Sequence, residues 1–166
     1  MNGALNAWRQ SVVEQLRESG LNAVAAMESA PANRWREAVA AVSLIRVVCA
    51  PGGFNDYLGV RRGPEAGTEQ EVYGREAELT LAMDVYAPRD GGESACQQAA
   101  ERMMETLVCQ GAAGLSALEL EAGQVEFLEK EGLYRLKTTC RCGAWLTAAV
   151  DSGGTFVDFE VKGRMK

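Results

Sequence analysis

The sequence predicts an α+β fold, a largely antiparallel sheet packed against two main helices, in one domain over residues 1–166. Three observations predict it. Segments 4–18 and 93–108 repeat apolar residues at helical spacing. Segments 78–85 and 133–149 alternate at period two, the mark of strands with one buried face. Short Gly- and Asp-containing turns join the later strands, as antiparallel neighbours allow.

The elements follow in order. Leu5, Trp8, Val12 and Leu16 share a face of the first helix, and Gly20 follows at its C-terminal cap. Residues 21–28 are a short apolar stretch with strand character, broken by Pro31. Within 36–49, alanines favour helix and VSLIRVV favours strand; a strand over 39–48 is the better reading. Residues 50–74 read as one long loop between two central strands, Gly-rich over 50–70. Leu79, Leu81, Met83 and Val85 then form one strand face, ended by Pro88.

Asp90-Gly91-Gly92 opens the second helix, whose apolar side holds Ala95, Cys96, Ala99, Met103, Leu107 and Val108. Residues 117–129 alternate again, with Gly123 marking a bulge. After a turn at 130–132 comes a long strand with Leu136, Thr138, Cys140, Cys142, Ala144 and Leu146 on one face. A last strand carries Val157, Phe159 and Val161. The expected core sets Leu79, Leu81, Met83 and Val85 against Met103 and Leu107, with Met104 at its margin.

Composition narrows the function. A formal net charge of -6 disfavours a general nucleic-acid binder, which needs a basic footprint. The first twenty residues lack the pattern of a secretory signal, and no apolar run is long enough to span a membrane, so the expected setting is the cytoplasm. Five scattered cysteines then read as free thiols. With no histidine in the chain, Ser-His-Asp and Cys-His catalysis and His-ligated zinc are unavailable to it.

Each candidate site meets a plainer reading. Cys140 and Cys142 share a strand face but lack a second ligand pair, so they read as core thiols and no metal is expected. Gly91-Gly92 lacks a following Lys-Ser/Thr and reads as a helix start; Gly52, Gly53 and Gly59 lack dinucleotide spacing. Glu119, Glu121, Glu126, Glu129 and Glu131 read as a solvated sheet face or a charge-protected edge. No cofactor is expected. The long loop is different, because it carries Phe54, Tyr57, Leu58, Arg61 and Arg62, residue types that anchor protein interfaces. Asn55, Tyr73 and Arg75 complete the candidate contact set. A hairpin extension with incidental aromatics is the competing reading, and residue type leaves the two open.

AVAAVSLIRVVCAPGGFNDYLG at 38–59, EVYGREAELTLAMDVYAP at 71–88 and ESACQQAAERMMETLV at 93–108 resemble, in order and spacing, the tail terminator (tail completion) proteins of long-tailed bacteriophages and prophages. The likeness runs through most of the chain, though the terminal thirds match only in pattern. It implies a non-enzymatic virion protein, made in the host cytoplasm and built into the tail, that forms a six-fold ring on the finished tail tube. Its implied partners are further copies of itself, the tube protein and a head or neck connector protein, with DNA passing through the lumen unbound. The stretch from Gly52 to Gly74 is expected to be mobile in the free subunit, because its length, glycines and charge give it little to bury alone, and to be ordered by assembly. Two alternatives stand beside it: another tube or neck protein of the same machine, and a small-molecule-binding α+β domain.

Overall fold

A computed structural model describes residues 3–25, 37–54, 56–63, 65–150 and 156–163. The elements run α1 (Ala4–Glu18), β1 (Asn22–Ala25), β2 (Val39–Cys49), β3 (Asp56–Arg62), β4 (Glu69–Pro88), α2 (Gly92–Gln110), β5 (Ser116–Leu128), β6 (Leu133–Val150) and β7 (Phe156–Gly163). Two helices on a seven-stranded, mostly antiparallel sheet make the α+β fold that the sequence predicts.

Helix α1 ends in a double hydrogen bond that caps its last carbonyls. Gly20 N–H donates to Arg17 and Leu21 N–H to Leu16, with Gly20 at φ 95°. Its buried stripe is Trp8, Val12, Val13 and Leu16; α2 buries Cys96, Ala100, Met103 and Leu107. Both stripes join Leu79, Leu81, Met83 and Val85, each fully buried, in one core cluster. Helix α1 also grips the turn after α2. Trp8 Nε1 donates to the Ala112 carbonyl at 2.9 Å, and Gln15 bonds both Gly111 O and Ala113 N. Between Trp8 and this turn lie about a hundred residues of chain, so these bonds tie the first element to the middle of the fold.

Strands β4 and β6 are the long central pair, in unbroken alignment from Glu71↔Val150 to Pro88↔Leu133. On the outer side of β4, β2 takes residues 77–86 and β3 takes residues 69–74. On the outer side of β6, β5 takes residues 133–143 and β7 takes 144–150. The sheet therefore has a proximal half, ordered β1-β2-β4-β6-β5, and a distal half, ordered β3-β4-β6-β7.

The long loop expected at 50–74 is corrected by β3 and the start of β4. They form a hairpin closed at Gly63, whose N–H donates to Thr68 O at 2.9 Å. The glycines read as loop serve the hairpin instead. Gly59 sits at φ 133° where the pairing with β4 shifts register. A Cβ on Gly63 would lie 2.2 Å from Thr68 Oγ1. The 21–28 strand is present over Asn22–Ala25, with 26–28 outside the described residues.

Burial along β4 changes face midway. From Ala77 to Ala87 the odd positions are buried, beneath the helices; from Gln70 to Gly74 the even ones are. No register shift with β6 intervenes, so β4 itself turns its other face inward there, while β6 is buried on both faces from Leu146 to Ala149. On β6, Thr147 and Ala149 lie on the same face as Gly74 and Val72, and they too are buried. Their cover comes from the outer strands. Arg61 on β3 reaches Glu160 on β7 at 2.9 Å, although β4 and β6 lie between. Flat strands would put these residues about 14 Å apart across the sheet and about 13 Å apart along it. The distal half is therefore curled, concave on the face opposite the helices.

Candidate functional site

The curled hairpin arm distributes the expected contact residues unevenly. Tyr57 and Arg62 are exposed on it. Tyr57 pairs edge-to-face with Tyr73 across the hairpin, ring centroids 5.6 Å apart. Tyr73 in turn donates its hydroxyl to Glu71 at 2.8 Å, and that bond to a carboxylate raises the phenol above its ordinary pKa. Phe54 packs against the core cluster, and Leu58 turns inward over Gly74 and Trp145. Arg61 is committed to Gln70 and Glu160. Arg75 donates to the carbonyls of Ala50 and Pro51, clamping the bend between β2 and β3. Asn55 lies outside the described residues.

Outward-facing apolar surface lies mainly elsewhere. β1 pairs with β2 only over Val39–Val42. Beyond that, no described residue pairs with the outer edge of β2, where Ile45 is 56%, Val47 41% and Val48 44% exposed. Arg46 stands among them, exposed and without a hydrogen-bond or ion-pair partner among the described residues. At the opposite end of the proximal half, the outer edge of β5 is likewise unpaired among the described residues, with Leu118 and Phe127 exposed. A cleft runs beside it between β5 and the last turn of α2, lined by Leu107, Val108, Leu115 and Leu120 among others. Val108 is 71% exposed there.

The two edges carry opposite charge. The β2 edge carries Arg46, and β3 beyond it carries Arg62 and Asp56, with Arg61 neutralised by Glu160; the β5 edge holds Glu119, Glu121 and Glu126. Glu126 is tied to Arg135 at 2.9 Å, which holds its carboxyl below the usual range. Glu119 is held only loosely, 3.4 Å from Arg141, which it shares with Glu78. The glutamates of 117–129 are exposed, as the solvated-face reading expects.

The remaining candidates resolve as core or turn. Cys140 and Cys142 are fully buried with their sulfurs 3.6 Å apart. That contact and burial push the Cys142 thiol above its ordinary range. Burial likewise raises Cys96 to about 11. Among the described residues, no group of three or more His, Cys, Asp or Glu is placed to hold a metal ion. Gly91-Gly92 starts α2.

Sequence reasoning missed Ile45, Arg46, Val47, Val48 and Leu118. The run VSLIRVV reads as a strand by its β-branched residues, and nothing local says whether that strand is central or at an edge. Only the strand order puts this one at an edge. No protein-family model and no curated protein matches the chain. Fold and site together define an α+β domain whose one sheet carries two apolar edges, β2 beyond Val42 and β5, without an outer partner among the described residues.

Proposed function

We propose that this chain is a structural subunit that assembles with its own copies into a ring, and that the ring is a phage tail terminator capping the tail tube. The observation that carries the assembly is the pair of unlike edges on opposite sides of one sheet, β2 beyond Val42 and β5, neither with an outer partner among the described residues. A two-fold dimer uses one surface against itself, whereas a ring needs two different surfaces that fit each other. Open edges with exposed Ile45, Val47 and Leu118 are a hazard for a solitary chain and an asset for one that polymerises. The step from ring to tail terminator rests on the resemblance of segments 38–59, 71–88 and 93–108.

The role needs no catalytic group. Partners on this reading are further copies, the tube protein and a head or neck protein, and the net charge of -6 suits a lumen that DNA crosses without sticking. Electron microscopy of the purified protein, alone and with polymerised tail tubes, tests it. Rings that seat on tube ends and stop further growth are expected. A protein that copolymerises along the tube would make it a tube component, and a strict monomer that leaves tubes uncapped would overturn the reading.

A further inference from the structure

We propose that residues 164–166, which follow β7 and lie outside the described residues, dock in their own chain as a short added strand on the outer edge of β5, at the mouth of the cleft beside α2. The added strand runs parallel to β5 and guards the start of its edge in the free subunit. Its displacement by a neighbouring copy is the part that rests on the ring reading. Position, reach and chemistry carry the contact itself.

Position comes first. Strands β7 and β5 lie on the same side of β6, one after the other and in the same direction. Strand β7 ends with Gly163 opposite Ala144, and β5 begins with Ser116 opposite Gly143, the next residue along β6. The way straight ahead of Gly163 is therefore taken. The helix side is closed as well, because a Cβ on Gly163 would lie 2.3 Å from the Gly114 carbonyl oxygen and 3.7 Å from Leu115 Cδ2. What remains open leads outward past the first residues of β5, where no described strand pairs.

Reach sets how far the contact extends. From the level of Gly163 to that of Glu119 is three residues along β6, about 10 Å, with one strand spacing of about 5 Å to the side. Three extended residues span about 10 Å, so Lys166 comes level with Glu119. Glu126, about 30 Å along the sheet from Gly163, is out of range. The guard thus covers residues 116–121 at most.

Chemistry fits on both sides. Arg164, Met165 and Lys166 alternate, so an extended chain shows both cations on one face and Met165 on the other. Glu119 and Glu121 share their face with Arg141 and Thr139, away from the helices. Glu119 is held only by an arginine that it shares with Glu78, and Glu121 has no hydrogen-bond or ion-pair partner among the described residues. On the helix side the cleft is lined by Val108, Leu118 and Leu120. Turning the cations toward the carboxylates places Met165 at that apolar mouth. Laid over the charged face instead, the segment would leave the cleft bare and bring its cations close to Arg141. An edge covered in this way is protected from stray pairing.

Hydrogen exchange on the folded chain tests the contact, at a dilution where protection no longer depends on concentration. Removing residues 164–166 should speed exchange of the 116–121 amides by about fivefold or more, and leave 122–128 unchanged. Arg164→Glu with Lys166→Glu should do the same at full length, which keeps the test open if the shortened chain is less stable. Adding Glu119→Lys and Glu121→Lys to that variant should restore protection. Unchanged exchange in both variants, loss that spreads through 122–128, no recovery on the charge swap, or protection that grows with concentration and so comes from another copy, would overturn the contact. For assembly, removing 164–166 should lower the concentration at which rings form by about threefold or more; an unchanged concentration would overturn the displacement step. Loss of protection with no rings from any variant would sink the ring reading and leave the contact standing. Rings from the unaltered chain, with exchange the same in every variant, would do the reverse.

Discussion

The proximal and distal halves share two strands and solve the problem of burial differently. In the proximal half, β4 and β6 present large side chains to two helices, and Leu79, Leu81, Met83 and Val85 are fully covered by Met103, Leu107 and the α1 stripe. In the distal half the same strands present Val72, Gly74, Thr147 and Ala149 to the other side, where the curled outer strands supply the cover. Small residues are what a concave sheet face can accommodate. The lesson is that one uninterrupted strand pair can serve two cores on opposite faces, provided side-chain size changes where the curvature does.

Four substitutions probe that contrast, in descending order of expected effect. Leu81→Ala empties a fully buried site in the proximal core. It should cost about 2–5 kcal/mol in urea denaturation. A loss below about 0.5 kcal/mol would mean that the proximal half does not carry the stability of the fold.

Gly74→Val asks whether the distal face is as tight as its burial suggests. A Cβ there would lie 2.5 Å from Leu58 Cδ1 and 3.1 Å from Trp145 Cε3. Overpacking of this kind costs about 1–3 kcal/mol. Hydrogen exchange should show the loosening confined to β3, the start of β4 and the end of β6. Global loosening would show that the halves unfold as one.

Thr138→Val should move stability the other way. The hydroxyl of Thr138 is buried in the proximal core and has no hydrogen-bond partner among the described residues. Replacing it by a methyl group removes an unsatisfied polar atom and should gain about 1 kcal/mol, read as a higher urea midpoint with unchanged slope. A loss instead would reveal a hydrogen-bonding role for that hydroxyl.

Arg61→Met is the mildest. The Arg61–Glu160 pair crosses the distal half but is 29% and 37% exposed, and pairs at that exposure are worth about 0–1 kcal/mol. A double-mutant cycle with Glu160→Gln measures it. A coupling above about 2 kcal/mol would make this ion pair the fastener of the curl, where packing of Leu58 over Gly74 is the expected one.

Local pattern carried the elements far. Period two placed the helix-facing residues of β4 and β6, helical spacing placed both helix stripes except for Val108, expected on the apolar side of α2 and 71% exposed past its last buried turn, and Gly20 marked the cap that ends α1. These signals are local: a face is legible when one side of an element is wet and the other dry. The 50–74 hairpin was illegible for the same reason. Its glycines mimic a loop, and its buried positions on β4, Gln70, Val72 and Gly74, lie on the face opposite the one that β4 buries further along.

Of the candidate site, the sequence by itself determined the ingredients: an acidic strand at 117–129, a run of arginines from 46 to 75, and apolar residues at both parities of β2. It could not determine which strands end the sheet, because edge position depends on pairing between residues far apart in the chain. The tertiary structure decided that, among the described residues, β2 beyond Val42 and the whole of β5 lack an outer partner, that Arg46 and Glu119 lie on one row, and that Arg61 and Arg75 are spent within the molecule. The physical reason is that an edge is defined by an absent neighbour, and a chain encodes its neighbours only through the whole fold.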